Sequence, residues 1–315
     1  MPNTQIEGPA CVIYNPAAGR GRARKQIDTA RRQLAPDAEL FPTEGPHHAS
    51  EVAASAVSKG FKRIIAAGGD GTVHEVANGI LNANDSSVAM SVWPLGSMND
   101  YAFTLGLVDW WHQADKPPLE PIAVDVGRAS AGNASKWFIN SAGVGFNGMV
   151  TIESRKIRWL RGIPLYAYGL LKAMVKHYSS PILKVSIDER NEQVPVLMMG
   201  IYLGQREGGF PIGKDAKLDD GLFDTFRAGD VWRWELVRHL PGLITGNLPT
   251  NHPKLARDRG KRIQIVSKSP LCCHLDGEFL CQPVDQQNEL QFEVIRSKLT
   301  VECFRARLYG GFAKP

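Results

Sequence analysis

The sequence predicts an α/β domain built on a parallel sheet, followed by a mainly antiparallel β domain. Three observations predict it. Apolar, β-branched runs at 63–67 and 88–93 each end in a glycine turn followed by residues of helical period, the repeating unit of a parallel sheet. From about residue 120 the pattern changes to successive short strands with only two helical interruptions. The 315 residues suit two domains of ordinary size, and 43% apolar content supplies a core for each. The boundary falls at 1–125 and 126–315, with the final residues able to return to the first domain.

In chain order, Ala10-Cys11-Val12-Ile13-Tyr14 is the first strand, and a basic helix follows to about residue 35. The link between them, Asn15-Pro16-Ala17-Ala18-Gly19, is by itself only a weak turn signal. Leu40-Phe41-Pro42-Thr43 is a short strand, and the next helix begins near His47-His48; lacking further ligands nearby, these histidines read as helix-start residues and not as a metal site. The chain is then organised around Ala66-Ala67-Gly68-Gly69-Asp70-Gly71-Thr72-Val73-His74-Glu75-Val76. Three glycines permit φ > 0 and bare backbone, Thr72 can cap the helix that follows, and a helix N-terminus favours anions, so the stretch has the form of a phosphate cradle. Asp70 would repel phosphates unless a cation intervenes, which a magnesium-nucleotide supplies. Alone, the motif fits a tight βα turn equally well. A second turn, Trp93-Pro94-Leu95-Gly96-Ser97-Met98-Asn99-Asp100-Tyr101-Ala102, follows the next strand, with Ser97 placed to cap its helix. Parallel strands open both turns onto one carboxyl edge, where open α/β sheets bind ligands.

GGDGT-x-x-E together with P-x-G-x-x-N-D-x-A resembles the diacylglycerol kinase catalytic-domain family, which includes bacterial lipid kinases, sphingosine kinases and ceramide kinases. GGDGT alone would also suit NAD kinases and phosphofructokinases; the second motif favours the lipid branch. The resemblance implies a β-sandwich for the second domain. It also implies nucleotide contacts at Asn15, Pro16, Ala17, Ala18, Gly19, Thr43, Gly68, Gly69, Asp70, Gly71, Thr72, Glu75 and Ser97. Ser97 stands where threonine is usual, and Ala17-Ala18 where serine or a basic residue is common. Arg20 and Arg22 are candidates to neutralise the γ-phosphate.

In the second domain, strands are expected at 121–129, 135–140, 182–188, 194–203, 222–228, 261–267, 271–275, 289–295 and 299–304. The interruptions at 150–178 and 231–246 mix aromatic, apolar and basic residues, a composition shared by interfacial helices and by core helices with a basic outer face. Lys217-Leu218-Asp219-Asp220-Gly221-Leu222 reads as a hairpin turn. By resemblance it is a structural magnesium loop, with Asp220 and the carbonyls of Lys217 and Leu222 as ligands. His274-Leu275-Asp276-Gly277-Glu278 ends a strand with two carboxylates; phosphoryl transfer to an alcohol wants one near the hydroxyl. The resemblance makes Glu278 the base, with Asp276 beside it.

The net charge is modest, 37 basic against 32 acidic residues for +5, but uneven. Arg20, Arg22, Arg24, Lys25, Arg31 and Arg32 cluster early, and between Ser154 and Ile187 seven Lys or Arg occur with no acid. Such patches suit phosphates or an anionic membrane surface, and no nucleic-acid-binding signature accompanies them. The five cysteines show no metal-ligand spacing and read as reduced core thiols. Met1 to Pro9 lacks a signal-peptide pattern, and no run is long and apolar enough to span a bilayer. The expectation is a cytoplasmic enzyme, peripheral on the inner membrane face, that uses ATP and Mg2+ to phosphorylate a lipid alcohol such as diacylglycerol or a sphingoid base. A homodimer is left open. The alternatives are an NAD kinase-like enzyme, with a soluble acceptor, and a catalytically silent lipid-binding protein; retention of Gly69, Asp70, Asp276 and Glu278 argues against silence.

Overall fold

Apolar runs in the first 125 residues fold into β1 (Ala10–Tyr14), β2 (Glu39–Pro42), β3 (Arg63–Gly68) and β4 (Ala89–Pro94), with α1 (Arg22–Leu34), α2 (His48–Ser58), α3 (Asp70–Ala83), α4 (Asp100–Thr104) and α5 (Leu107–His112) between and after them. The computed structural model describes residues 6, 8–157, 159–160, 163–249 and 251–308, apart from the side chains of Arg20, Arg22, Ile163, Tyr166, Leu240 and Ile244. The chain divides into two compact units, residues 1–125 with 296–315, and residues 126–295.

In the first unit the four strands are parallel, in the order β2-β1-β3-β4. Val12, Ile65, Ala67 and Trp93 from the sheet pack with Ala23, Ile27 and Ala30 of α1. In β1, β3 and β4 burial on both faces is why the strands read as unbroken apolar runs rather than alternating ones, whereas β2 is exposed or half-buried.

Two long strands carry the chain between units: β5 (Glu120–Ala131) and, near the C-terminus, β16 (Glu289–Cys303). The second unit also contains β6 (Ala134–Phe138), β7 (Ser141–Gly145), β8 (Ile182–Ile187), β9 (Arg190–Pro195), β10 (Met198–Tyr202), β11 (Phe223–Ala228), β12 (Leu255–Gly260), β13 (Arg262–Val266), β14 (Cys273–Leu275) and β15 (Glu278–Cys281). Its helices are α6 (Phe146–Arg155), α7 (Ile163–Lys176) and α8 (Arg233–Thr245). One antiparallel sheet runs β12-β11-β10-β7-β14-β15. A second antiparallel set pairs the start of β16 with β13, β8 and β9. Phe138 of β6 stacks on Phe223 of β11 at 5.6 Å and meets Phe292 of β16 edge-on at 6.3 Å, so an aromatic cluster fills the space between the sheets.

Several expected boundaries move. The run 194–203 is two strands broken at Val196-Leu197, whereas 289–295 and 299–304 are one strand. The polar Arg296-Ser297-Lys298 mimics a turn. Ser297 does take a left-handed φ of 49°, but its N–H donates to Asp125 Oδ1 at 2.8 Å, and the strand continues through the kink. β7 escaped detection because Ser141-Ala142-Gly143-Val144-Gly145 lacks bulk. A Cβ on Gly143 would collide with the imidazole of His274, so the small residue is required by its neighbour on β14. The 150–178 interruption is two helices. His47 and His48 stand at the start of α2, and all five cysteines are buried and in no disulfide.

Candidate functional site

In the first unit the carboxyl ends of β3 and β4 carry the two glycine turns, and the turns touch. A Cβ on Gly96 would collide with Gly69 Cα, and one on Gly69 would lie 3.3 Å from Gly96 Cα. Close approach is therefore what the glycines supply; Gly68, Gly69 and Gly71 do not use the positive φ the sequence suggested, Gly69 having φ −94°. Asp70 then ties the turns together. Its Oδ2 accepts from Asn99 N at 2.9 Å, and its Oδ1 accepts from Asp100 N at 2.7 Å and Tyr101 N at 3.4 Å. Loss of water pushes the Asp70 carboxyl above its ordinary range, and the three amides pull it the other way. Asn99 completes the lock by accepting from Gly96 N at 3.0 Å through Oδ1. The expected caps are accordingly different. The N-terminus of α4 is capped by Asp70 and not by Ser97, which is exposed, and α3 begins at Asp70 with no side-chain cap from Thr72. Among the described residues a Cβ on Gly71 would meet nothing within 4 Å, so the first turn of α3 presents bare backbone.

The remaining predicted nucleotide contacts of this unit divide. Asn15 follows β1 and accepts from Ala17 N at 2.9 Å, which turns the chain at Pro16-Ala17 into the short 3-10 segment Ala18–Gly21 before α1. Thr43 N donates to Tyr14 O at 2.9 Å, which sets it beside the end of β1. Glu75 instead caps α2: its two oxygens accept from His47 N at 2.9 Å and Ala49 N at 3.1 Å. The side chains of Arg20 and Arg22 lie outside the described residues.

In the second unit Asp276 does for one hairpin what Asp70 does for the glycine turns. Its Oδ1 accepts from Asn140 N at 2.9 Å and Ser141 N at 2.8 Å, its Oδ2 from Ile139 N at 3.0 Å, and its own N–H donates to Ser141 O at 2.7 Å. Asp276 has φ 50° and Gly277 φ 88°, a tight left-handed turn that swings Glu278 onto β15. Arg155, the last residue of α6, pairs with Glu278 Oε1 at 2.7 Å, donates to Gly277 O at 2.7 Å and lies 4.9 Å over the Phe279 ring. Arg155 thus holds the turn, where the sequence leaves an interfacial helix and a core helix with a basic outer face both open. Lys156 likewise bonds buried Glu153 at 2.7 Å. The acid-free stretch finds its carboxylates just before it and more than a hundred residues later.

The predicted metal loop precedes β11. Leu222 N donates to Asp220 Oδ1 at 3.1 Å, while Arg259 bonds Asp220 Oδ2 and approaches Asp224 at 3.2 Å. A guanidinium already occupies the carboxylate that would be the only charged ligand, so these donors do not fit a divalent ion as the resemblance implies.

Sequence reasoning missed two more polar features of the second unit. Tyr202 donates to Glu207 Oε2 at 2.8 Å, and His274 Nε2 meets Glu207 Oε1 at 3.1 Å, a buried network directly preceding the Asp276 turn. Glu153 is buried among Lys156, Lys176 and His177. Only the HLDGE spelling hinted at the first; nothing signalled the second.

The model of the diacylglycerol kinase catalytic domain matches residues 9–127, and that of the YegS C-terminal NAD kinase β-sandwich-like domain matches residues 140–301. Among curated relatives, a diacylglycerol kinase of Staphylococcus aureus is 29% identical over 277 residues, 86% of each chain. A probable lipid kinase YegS-like protein of Chromohalobacter salexigens is 33% identical over 235 residues, 72% of this chain and 73% of its own. A solved diacylglycerol kinase from Bacillus anthracis superposes with a TM-score of 0.69 at 21% identity, covering 95% of this chain and 97% of its own, a likeness of fold.

Proposed function

The chain belongs to the diacylglycerol kinase catalytic-domain family of lipid kinases, and we propose that it transfers the γ-phosphoryl group of ATP to the hydroxyl of a lipid alcohol such as diacylglycerol or a sphingoid base. The observation that carries this reading is the pair of glycine turns locked by Asp70, which leaves the bare first turn of α3 at Gly71 as a seat for phosphates. Gly68, Gly69, Thr72, Ser97 and the Asn15–Gly19 turn extend that seat, and Thr43 stands at the neighbouring strand end. Asp70 and Glu75 act here by holding backbone in place.

In the reaction the acceptor oxygen bonds to the γ-phosphorus as the bond from phosphorus to the β–γ bridging oxygen breaks, its electrons leaving with ADP. The hydroxyl proton passes to the carboxylate of Glu278, which Arg155 orients and Asp276 supports. Magnesium bound to the nucleotide would neutralise phosphate charge. The acceptor is met at a membrane. Trp159, Leu171, Val175, Trp232 and Trp234 are exposed, and Lys172 lies 5.0 Å over the Tyr168 ring on the same face of α7, a mixture suited to an anionic surface. Among the described residues no helix is long and apolar enough to cross a membrane.

The test is labelled ATP with a panel of lipid alcohols in mixed micelles, and NAD as a soluble comparison. Phosphorylation of a lipid, with NAD untouched, is expected; labelling of NAD alone would overturn the reading. Leu171→Glu with Val175→Glu should reduce binding to anionic vesicles while sparing activity on a short-chain soluble acceptor.

A further inference from the structure

We infer that the guanidinium of Arg259 is the resident cation of the 217–224 turn, so that this turn is held closed by an ion pair within the chain and takes no divalent ion. Arg259 and Asp224 face each other in register on β12 and β11, so the sheet itself delivers the guanidinium to the turn. From there Nη2 bonds Asp220 Oδ2, and Nε donates to Asp224 at 3.2 Å. The other oxygen of Asp220 accepts from Leu222 N at 3.1 Å. Each Asp220 oxygen therefore has a donor, and one planar fork bridges the two carboxylates, the geometry at which arginine excels.

The charge balance explains why a cation is wanted. Asp215, Asp219, Asp220 and Asp224 crowd this segment. Removal from water together with Asp220 and Asp215 pushes the Asp224 carboxyl up, and Arg259 opposes that rise. A magnesium ion on Asp220 would have to displace the guanidinium or sit against it. It would also stand beside the fixed positive charge of the guanidinium, which opposes a divalent cation on the same carboxylate. The divalent ion that the enzyme uses would then be the one that arrives with the nucleotide, and the fold of this turn would be indifferent to magnesium.

Thermal melts without nucleotide, in millimolar MgCl2 and in EDTA, test this. A divalent ion present at a hundredfold excess over its Kd would raise the Tm of a unit this size by roughly 5–10 °C. The wild-type Tm should be the same in both buffers. Arg259→Gln should melt lower in EDTA and be raised by MgCl2, because two carboxylates lose their cation, and adding Asp220→Asn should abolish that rescue. Paramagnetic titration with Mn2+ gives a second readout: wild type and Asp220→Asn should bind the same number of ions. A wild-type Tm that rises in MgCl2 and loses the rise in Asp220→Asn, or one Mn2+ fewer in that variant, would overturn the inference. So would an Arg259→Gln protein that melts like wild type in both buffers. Should Arg259→Gln fail to fold, the wild-type and Asp220→Asn arms still decide.

Discussion

Asp70 in the first unit and Asp276 in the second solve the same problem with different backbones. Each carboxylate collects three consecutive backbone amides from a distant stretch: Asn99, Asp100 and Tyr101 for Asp70, and Ile139, Asn140 and Ser141 for Asp276. Asp70 sits at the start of a helix and binds the start of another, so its surroundings are dipoles and bare glycine. Asp276 sits in a left-handed hairpin and is followed by a second carboxylate with its own arginine. The difference teaches that the acidic residue in each motif is a clamp, and that in the proposed reaction the chemistry falls to what the clamp exposes: open backbone at Gly71, an ion-paired carboxylate at Glu278.

The largest expected effect separates clamp from chemistry. Glu278→Gln should lower turnover by roughly 10² to 10⁴ while the Tm and nucleotide affinity stay near wild type, the scale of a lost general base. Turnover within a few-fold of wild type would take Glu278 out of the mechanism.

Next, Asp70→Ala and Asp276→Ala should each destabilise by about 3 kcal/mol or more, since each leaves three amides without their acceptor at about 1–3 kcal/mol per buried orphan. Urea titrations would measure both. A loss of nucleotide binding in Asp70→Ala with no shift in midpoint would mean that Asp70 meets the ligand and is not a clamp, and the comparison would fail.

A smaller effect sharpens the first half of the comparison. Gly71→Ala meets no atom of the described residues within 4 Å and replaces a helical glycine, so stability should rise by about 0.5–1 kcal/mol. The added methyl would occupy the proposed phosphate seat, and ATP affinity by calorimetry should fall roughly tenfold. Unchanged affinity would move the nucleotide elsewhere.

The smallest effect belongs to the second unit alone. The hydrogen bond from Lys156, opposed by burial and aided by the charge of Lys156, holds the Glu153 carboxyl below the usual glutamate range. A depressed folded-state value means the stabilisation is present above the ordinary 4.5 and is lost as pH falls through the folded value. The Tm advantage of wild type over Glu153→Gln should therefore shrink as the pH is lowered below that point; a gap constant down to pH about 3 would show that packing and not charge sets it.

The sequence by itself determined the parallel sheet and its two glycine turns, because strands buried on both faces must be apolar throughout and the period changes abruptly where each helix begins. It determined the order of the motifs and hence the family. It singled out Glu278 only through that resemblance, since a D-G-E turn by itself reads as a hairpin acid. Tertiary structure decided which acids are clamps, because the amides that Asp70, Glu75 and Asp276 accept from lie about 26 to 137 residues away and carry no side-chain signature. It decided that Gly96 and Gly69 are small in order to touch, a fact about two chain segments and not about either turn. It set Arg155 on Glu278 and Arg259 on Asp220, because the partner of a charge is chosen by sheet register and helix direction, which local spacing does not encode.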